Sequence, residues 1–381
     1  MNVCIFDDEP LAAEFLKHQL HNFNDINVLF TFTESLPDKT SNLFRDIDLV
    51  FLDIEMPEIN GLELAEQITM YNPNIQIVFV TAHSQYALEA FEMHALDYLL
   101  KPVTVARLKK TLQRINKANS DIASNNKASS PQLLIKVLGD LEFQFNDKEA
   151  PQTINWRTAK SKELFLYLLQ YEGKVVLKSE IIEALWEEVD IDKAFSHLYV
   201  SIYNIRQSLR EMHDYIEITN QNGGYLLNFK NVSLDIKEWK KQLFHRPDLN
   251  IDNLSKYEEI MGLYRGSYLN SHDYLWLQAD RFKLEETWLR YAKLMADCYQ
   301  QNSLFEKAVA WYTIILENRP EDEQAAFSLM RIYAILQYRM LVDFQYKELK
   351  KSLDELNLNM NPEITSWYNN WSTTNIKQES R

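Results

Sequence analysis

Asp7, Asp8, Asp53, Thr81 and Lys101 are the residues whose types and spacing suggest joint chemistry, because each follows or closes a short apolar run. Val3-Cys4-Ile5-Phe6 leads into Asp7-Asp8, Leu49-Val50-Phe51-Leu52 into Asp53-Ile54-Glu55-Met56-Pro57, Ile77-Val78-Phe79-Val80 into Thr81, and Tyr98-Leu99-Leu100 into Lys101-Pro102. Runs this short and apolar read as buried parallel strands. Ligand chemistry in open α/β sheets gathers at the carboxyl ends of such strands. Crowded carboxylates favour a hard divalent cation, and Mg²⁺ suits a site with few protein ligands, several waters and a phosphoryl oxygen. A carboxylate can also attack a phosphoryl group. Asp53 is therefore the expected phosphoryl acceptor, Asp8 a direct metal ligand, Asp7 a ligand through water, and the Glu55 main-chain carbonyl a further ligand. Lys101 would neutralise one phosphoryl oxygen and the Thr81 hydroxyl would donate to another. Singly, each acid could be a loop cap; the ordered set, with a distinct role at each strand end, argues otherwise. No second catalytic constellation follows Lys101, so an autonomous phosphatase or phosphodiesterase is not expected, and turnover at Asp53 should be slow self-hydrolysis.

The elements that must position these groups alternate from Val3 to Ala118 as strand and helix, which implies a doubly wound parallel sheet with helices on both faces. Leu11, Phe15, Leu16 and Leu20 have helical spacing and are expected to cover the sheet, as are Leu62, Leu64, Ala65 and Ile68 after Gly61. A last helix carries Leu108, Leu112 and Ile115, with Arg107, Lys109, Lys110 and Arg114 around it as a solvated face.

With Asp7-Asp8-Glu9-Pro10, Asp53 with Met56-Pro57 and Gly61, Thr81-Ala82, and Ala95-Leu96-Asp97-Tyr98 running into Lys101-Pro102, residues 1–118 resemble the receiver domain of bacterial two-component response regulators. The resemblance implies phosphotransfer from a sensor histidine kinase to Asp53, with Thr81 and Tyr98 as the switch pair. It also makes Glu55 and His83 the positions that tune how long the acyl phosphate lasts.

The length of 381 residues suggests two or three domains, and 46% apolar residues is ordinary for globular protein. No run approaches the roughly 18 apolar residues of a membrane span, and the N-terminus enters a strand without the features of a signal peptide. Cys4 and Cys298 stand far apart, so neither a disulfide framework nor a zinc site is indicated. A cytoplasmic protein that makes no membrane contact is the simplest reading. A net charge of −15 argues against non-specific coating of nucleic acid. The acidity is concentrated early: residues 1–118 carry 9 basic and 17 acidic side chains, against 13 and 17 in 131–240 and 17 and 20 in 241–381.

Residues 119–130 have almost no apolar content and read as a flexible linker. Then come short strands at Leu133–Leu138 and Leu141–Phe145, helices over Ala159–Tyr171, Lys178–Trp186 and Ala194–Met212, and a hairpin of Tyr215–Thr219 and Tyr225–Phe229 about Gly223-Gly224. That order makes an α+β winged helix over 131–240. In its third helix Leu198, Ile202, Ile205 and Leu209 must face the core. The other side then presents His197, Ser201, Asn204 and Ser208, flanked by Tyr199, Tyr203, Arg206 and Arg210, with no acid between Lys193 and Arg210. A polar, positive stripe suits the DNA major groove, where Arg reads guanine and Asn adenine; a solvated polar face is the plainer alternative.

Leu138-Gly139, Lys162–Leu169, Gly173-Lys174-Val175, Leu185-Trp186, Ile205-Arg206 and Gly223-Gly224-Tyr225 resemble the winged-helix output domain of response regulators, and more closely its Streptomyces antibiotic regulatory protein (SARP) version. That match implies base contacts by Asn204 and Arg206, with Tyr203 and His197 near the backbone. The hairpin tip Asn220-Gln221-Asn222 departs from the pattern in lacking a basic residue before the glycines.

Residues 241–381 read as all-helical. Tyr299 and Tyr312 recur 34 residues on as Tyr333 and Tyr346, and Ala296, Ala308 and Pro320 fill further places of a tetratricopeptide pattern. The second unit departs from it at Met330, Val342 and Asp354, and the helices over 254–281 and 366–371 are expected to cap the pair. Leu263-Tyr264-Arg265-Gly266, Trp276 and Pro362-Glu363 resemble the bacterial transcriptional activation domain of the same regulatory family.

The sequence thus predicts a multidomain response regulator with Mg²⁺ as cofactor. An α/β receiver (1–118), a linker (119–130), a winged helix (131–240) and an all-α tetratricopeptide-like domain (241–381) follow in order. The expected partners are a sensor histidine kinase, double-stranded DNA and RNA polymerase. A homodimer is also expected. For symmetric receiver pairing the last helix should hold an acid and a later arginine; Arg107 and Thr111 stand there, which favours head-to-tail binding on repeated half-sites. The alternative is a phosphorylation-controlled adaptor that acts through protein contacts of the helical repeats.

Overall fold

The computed structural model describes residues 1–33, 44, 46–57, 59–72, 75–93, 95–118, 132–146, 150–244 and 249–379. The expected linker lies outside them. The chain forms two compact units, one of residues 1–132 with 153–232 and one of 133–152 with 233–381.

The first unit opens with β1 (Asn2–Phe6), α1 (Pro10–Leu20), β2 (Asn27–Phe32), β3 (Leu49–Leu52), α2 (Gly61–Tyr71), β4 (Gln76–Thr81), α3 (Ala87–Glu92), β5 (Asp97–Leu100) and α4 (Val105–Ala118). The five strands lie in the order β2-β1-β3-β4-β5, and their pairings are all parallel, as expected. β3 is buried along its whole length because both sheet faces are covered. On one face Leu62, Leu64, Ala65 and Ile68 of α2 are buried, as the spacing predicted. On the other, Leu16 and Leu20 are buried, but Leu11 and Phe15 are exposed and Ala13 takes the inward place. The buried stripe of α1 therefore runs 13, 16, 20.

A second group follows in the same unit: α5 (Ala159–Gln170), β8 (Val175–Leu177), α6 (Lys178–Leu185), α7 (Ile191–Ser208), β9 (Ile216–Gln221) and β10 (Gly224–Phe229). β10 pairs antiparallel with both β8 and β9. Asn222 and Gly223, at the β9–β10 turn, both have positive φ, of 51° and 75°, the signature of a tight primed hairpin. Thr158 and Ser161 form a reciprocal cap at the start of α5, and the Asp190 side chain caps α7.

The second unit holds β6 (Leu133–Lys136) and β7 (Glu142–Phe145), in a sheet ordered β11-β6-β7 with β11 (Val232–Leu234). The two early strands, expected to open the winged helix, belong instead with the helices that end the chain. The reason lies in contacts with residues far along the chain. The Asp235 carboxylate accepts the main-chain N–H groups of Val137 and Leu138 at 2.9–3.1 Å, and Leu138 bridges to Tyr268. The helices are α8 (Asp235–Phe244), α9 (Leu254–Gly262), α10 (Gln278–Gln301), α11 (Phe305–Asn318), α12 (Glu323–Ile335), α13 (Arg339–Glu355) and α14 (Pro362–Glu379). Successive helices from α10 to α13 pack against one another. Of the repeat positions read from sequence, Ala296, Tyr299, Ala308, Tyr312, Met330 and Val342 are buried, Tyr333 and Tyr346 are half-buried, and Pro320 and Asp354 are exposed. No helix among the described residues is long and apolar enough to cross a membrane.

Candidate functional site

Register brings the chemistry together. Phe6 lies opposite Leu52 and Leu52 opposite Phe79, so the residues after them leave the sheet side by side. The Asp53 amide donates to the Phe6 carbonyl at 2.9 Å, and the Lys101 amide to the Thr81 carbonyl at 2.9 Å. Ligand oxygens of Asp7, Asp8 and Asp53 lie within 4.8 Å of one another. This carboxylate cluster is positioned to coordinate a divalent metal such as Mg²⁺.

Lys101 closes the site. Its ammonium donates to Asp53 Oδ2 at 2.6 Å and to Asp7 Oδ1 at 3.0 Å, with Glu9 at 3.8 Å. Burial works against that charge, but the bonds to Asp53 and Asp7 outweigh it, and the Lys101 pKa is raised. Asp7 shows the opposite balance: burial raises its carboxyl above the usual range even with Lys101 alongside. The donor set thus fits a cation, since an added positive charge would stabilise the ionised form that burial disfavours.

The second Asp53 oxygen accepts the Ile54 amide at 2.6 Å, which fixes the carboxylate plane. Gly61 makes this loop possible. A Cβ on it would sit 1.9 Å from the Asp53 carbonyl oxygen, and its amide donates to the Ile54 carbonyl at 2.7 Å.

Around the mouth, Thr81 is fully buried and its hydroxyl accepts from the His83 amide at 3.4 Å. Tyr98 is half-buried, its hydroxyl donating to the His83 carbonyl, and burial pushes its pKa up to about 12. The exposed Glu55 side chain pairs with His83 at 2.9 Å, which joins the two expected lifetime-tuning positions.

Sequence reasoning missed one cluster. Arg107 grips Asp97 with two bonds of 2.6 and 2.7 Å, Thr111 donates to it at 2.7 Å, and Arg114 stands 3.1 Å away. Burial would raise the Asp97 pKa; the Arg107 and Thr111 bonds outweigh it and the pKa is lowered. Arg107 and Arg114 are thus partners of a buried acid rather than part of a purely solvated face. A buried acid opening a strand, followed by two arginines one helix later, was the available signal.

The expected DNA-reading residues are dispersed differently from the sequence expectation. Leu198, Ile202, Ile205 and Leu209 are buried in the core, as predicted. Ser201, Tyr203 and Asn204 are buried too, Asn204 to 1% exposure, while His197, Arg206 and Ser208 are half-buried and Arg210 is exposed. One core face cannot bury a helix on both sides. Over Tyr199, Val200 and Tyr203 the cover is α2 and α3 of the same unit, which pack against α7; these three side chains belong to the same apolar cluster as Leu62, Leu64 and Met93.

A family model described as the response regulator receiver domain matches residues 3–113. Another, described as the C-terminal part of transcriptional regulatory proteins, matches residues 153–227. A response regulatory protein of Vibrio cholerae is 35% identical over 192 residues, covering 46% of this chain and 78% of that protein. The chain belongs to the response regulators. A response regulatory protein of Yersinia pestis is 45% identical over 119 residues, 31% of this chain and 49% of its own length, so the chain spans about half of that relative. Among solved structures, the response regulatory domain of mrkE from Klebsiella pneumoniae is 34% identical, with a TM-score of 0.29, and covers 31% of this chain and 97% of that one.

Proposed function

We propose that this chain is a transcription regulator switched by phosphorylation of Asp53. The observation that carries it is the position of Asp53, 2.6 Å from the Lys101 ammonium and clustered with Asp7 and Asp8, in a chain that also carries a match to transcriptional regulatory proteins. A sensor histidine kinase is the phosphoryl donor. Asp7, Asp8, Asp53 and the Glu55 carbonyl would hold Mg²⁺, which when bound would offset the negative charge gathered at the acceptor. Asp53 is the nucleophile, Lys101 and the Thr81 hydroxyl take the phosphoryl oxygens, and Tyr98 moves with Thr81. The chain accepts a phosphoryl group and has no independent catalytic activity.

The output is double-stranded DNA read by α7, with Asn204 and Arg206 on base edges and His197, Ser201, Tyr203 and Arg210 around them. The helical region is a tetratricopeptide-like activation domain of the SARP kind, which contacts RNA polymerase, and copies of the chain bind head to tail. Support for the repeat reading comes from the burial of Met330 and Val342 34 residues after the buried Ala296 and Ala308.

The test is genome-wide selection of fragments bound by the whole chain, with and without beryllofluoride and Mg²⁺ as a phosphoryl mimic. One enriched motif that strengthens with the mimic is expected. Absence of any enriched motif in both states would overturn the DNA-binding part.

A further inference from the structure

Tyr98 is pinned at its main chain. Its amide donates to Asp97 Oδ1 at 3.0 Å, and its carbonyl accepts from the Arg107 guanidinium at 3.3 Å. Arg107 is itself fixed by two bonds to the buried Asp97 carboxylate. A tyrosine held in this way changes partners by rotating about its side-chain torsions, while its strand stays in place.

The hydroxyl at the end of that ring donates to the carbonyl of His83, two residues beyond Thr81. A second acceptor stands on α3, which packs against β5. Glu89 Oε2 is buried and has no hydrogen-bond partner among the described residues. Its charge reaches the Tyr98 hydroxyl. Burial first, and then the negative charge of Glu89, push the Tyr98 pKa up to about 12, so the group stays a donor at neutral pH. A buried acceptor without a partner is costly, more so when it is charged. The donor that lies within the field of Glu89 is thus engaged elsewhere, on His83.

We propose that Glu89 is a positioning residue of the phosphoryl switch: it accepts the Tyr98 hydroxyl in the resting chain and yields it to the His83 carbonyl when Asp53 is phosphorylated. This rests on the reading of Asp53 as the phosphoryl acceptor and of Thr81 and Tyr98 as the switch pair. The arrangement with Tyr98 on His83 leaves a buried carboxylate oxygen unsatisfied, a cost that the resting chain avoids by placing Tyr98 on Glu89. Phosphorylation offsets that cost. The Thr81 hydroxyl holds a long bond of 3.4 Å from the His83 amide and is ready to donate to a phosphoryl oxygen. That donation fixes the segment 81–83, and with it the carbonyl that Tyr98 bonds. The phosphoryl group therefore shifts an equilibrium between two acceptors of one hydroxyl.

The test is beryllofluoride binding to the whole chain in Mg²⁺, followed by fluorine nuclear magnetic resonance. Glu89→Ala removes the resting acceptor and should tighten binding about tenfold, the scale for a hydrogen bond to a charged group. The gain should vanish in a Tyr98→Phe background, which has no hydroxyl to release. A purely structural role of Glu89 in α3 would act equally in both backgrounds. Glu89→Gln keeps the shape of the side chain and is a weaker acceptor; it should tighten binding by a smaller factor and guards against misfolding of Glu89→Ala. Unchanged or weaker binding in both Glu89 variants, or an equal gain with and without the Tyr98 hydroxyl, would overturn the role of Glu89 and leave Asp53 as the acceptor. A parent chain that binds no beryllofluoride in Mg²⁺ would overturn the acceptor reading itself, and the role of Glu89 with it.

Discussion

The Lys101 ammonium bonds Asp53 and Asp7 at once, at 2.6 and 3.0 Å, so one cation bridges the expected nucleophile and an expected metal-binding carboxylate. Removing either end separates their roles. Asp53→Ala should abolish acid-labile, Mg²⁺-dependent phosphorylation. Lys101→Ala should keep the nucleophile but slow phosphoryl acceptance about 100-fold, the scale for losing one charge-stabilising donor. Radiolabel retained by Asp53→Ala would move the acceptor elsewhere.

Asp97 is a stability determinant rather than a reactive group. Its folded pKa is lowered, so its contribution is present above its unfolded value near 3.8 and is lost as pH falls through the folded value. Asp97→Ala should cost about 2 kcal/mol at neutral pH, the scale of charge-assisted bonds lost from Arg107 and Thr111. Urea unfolding of parent and variant at pH 7 and at pH 3 measures this, and the gap should narrow at the lower pH.

Gly61→Ala should be severe for so small a change. The methyl group would overlap the Asp53 carbonyl at 1.9 Å, and backbone on both sides must move. A loss of about 2 kcal/mol or more is expected. Weaker Mg²⁺-dependent phosphorylation should accompany it, read by thermal unfolding and labelling of the same preparation.

Arg206→Ala and Asn204→Ala should each weaken binding to a mapped operator by about 1 to 3 kcal/mol in the beryllofluoride state. Arg206→Ala should also destabilise the fold, because it leaves Glu66 buried without its cation. Fluorescence anisotropy on labelled operator, with thermal unfolding of the same preparations alongside, separates the two effects.

The acceptor site was legible because a strand ending in an acid has few places to put it: once four apolar runs are taken as parallel neighbours, Asp7, Asp53, Thr81 and Lys101 must meet. The inward stripe of α7 was legible for the same reason, since Leu198, Ile202, Ile205 and Leu209 repeat at helical spacing. Local pattern does not reveal a second burial. Nothing within residues 191–208 specifies that Glu63 and Glu66, more than 120 positions earlier, cover the face opposite that stripe. The Asp97 cluster was hidden similarly, because Arg107 and Arg114 read as solvated until their acid is placed. The strand pair at 133–145 was visible, but its attachment through Asp235 and Tyr268 depends on residues about 100 or more positions downstream.

That attachment makes residues 153–232 an insertion. The polypeptide leaves its second unit after Gln152 and returns to it at Ser233, so both ends of residues 153–232 join the same sheet-and-helix body. Recombination between regulators of this layout has no clean crossover at residue 131: an exchange of 131–240 would carry β6 and β7 away from the recipient's Tyr268, which bridges to Leu138, and from its Arg265, which pairs with Glu142 of β7 at 3.5 Å. An exchange of the proposed DNA-reading segment would replace 153–232, preserve both splice points and keep the side chains that meet α2 and α3.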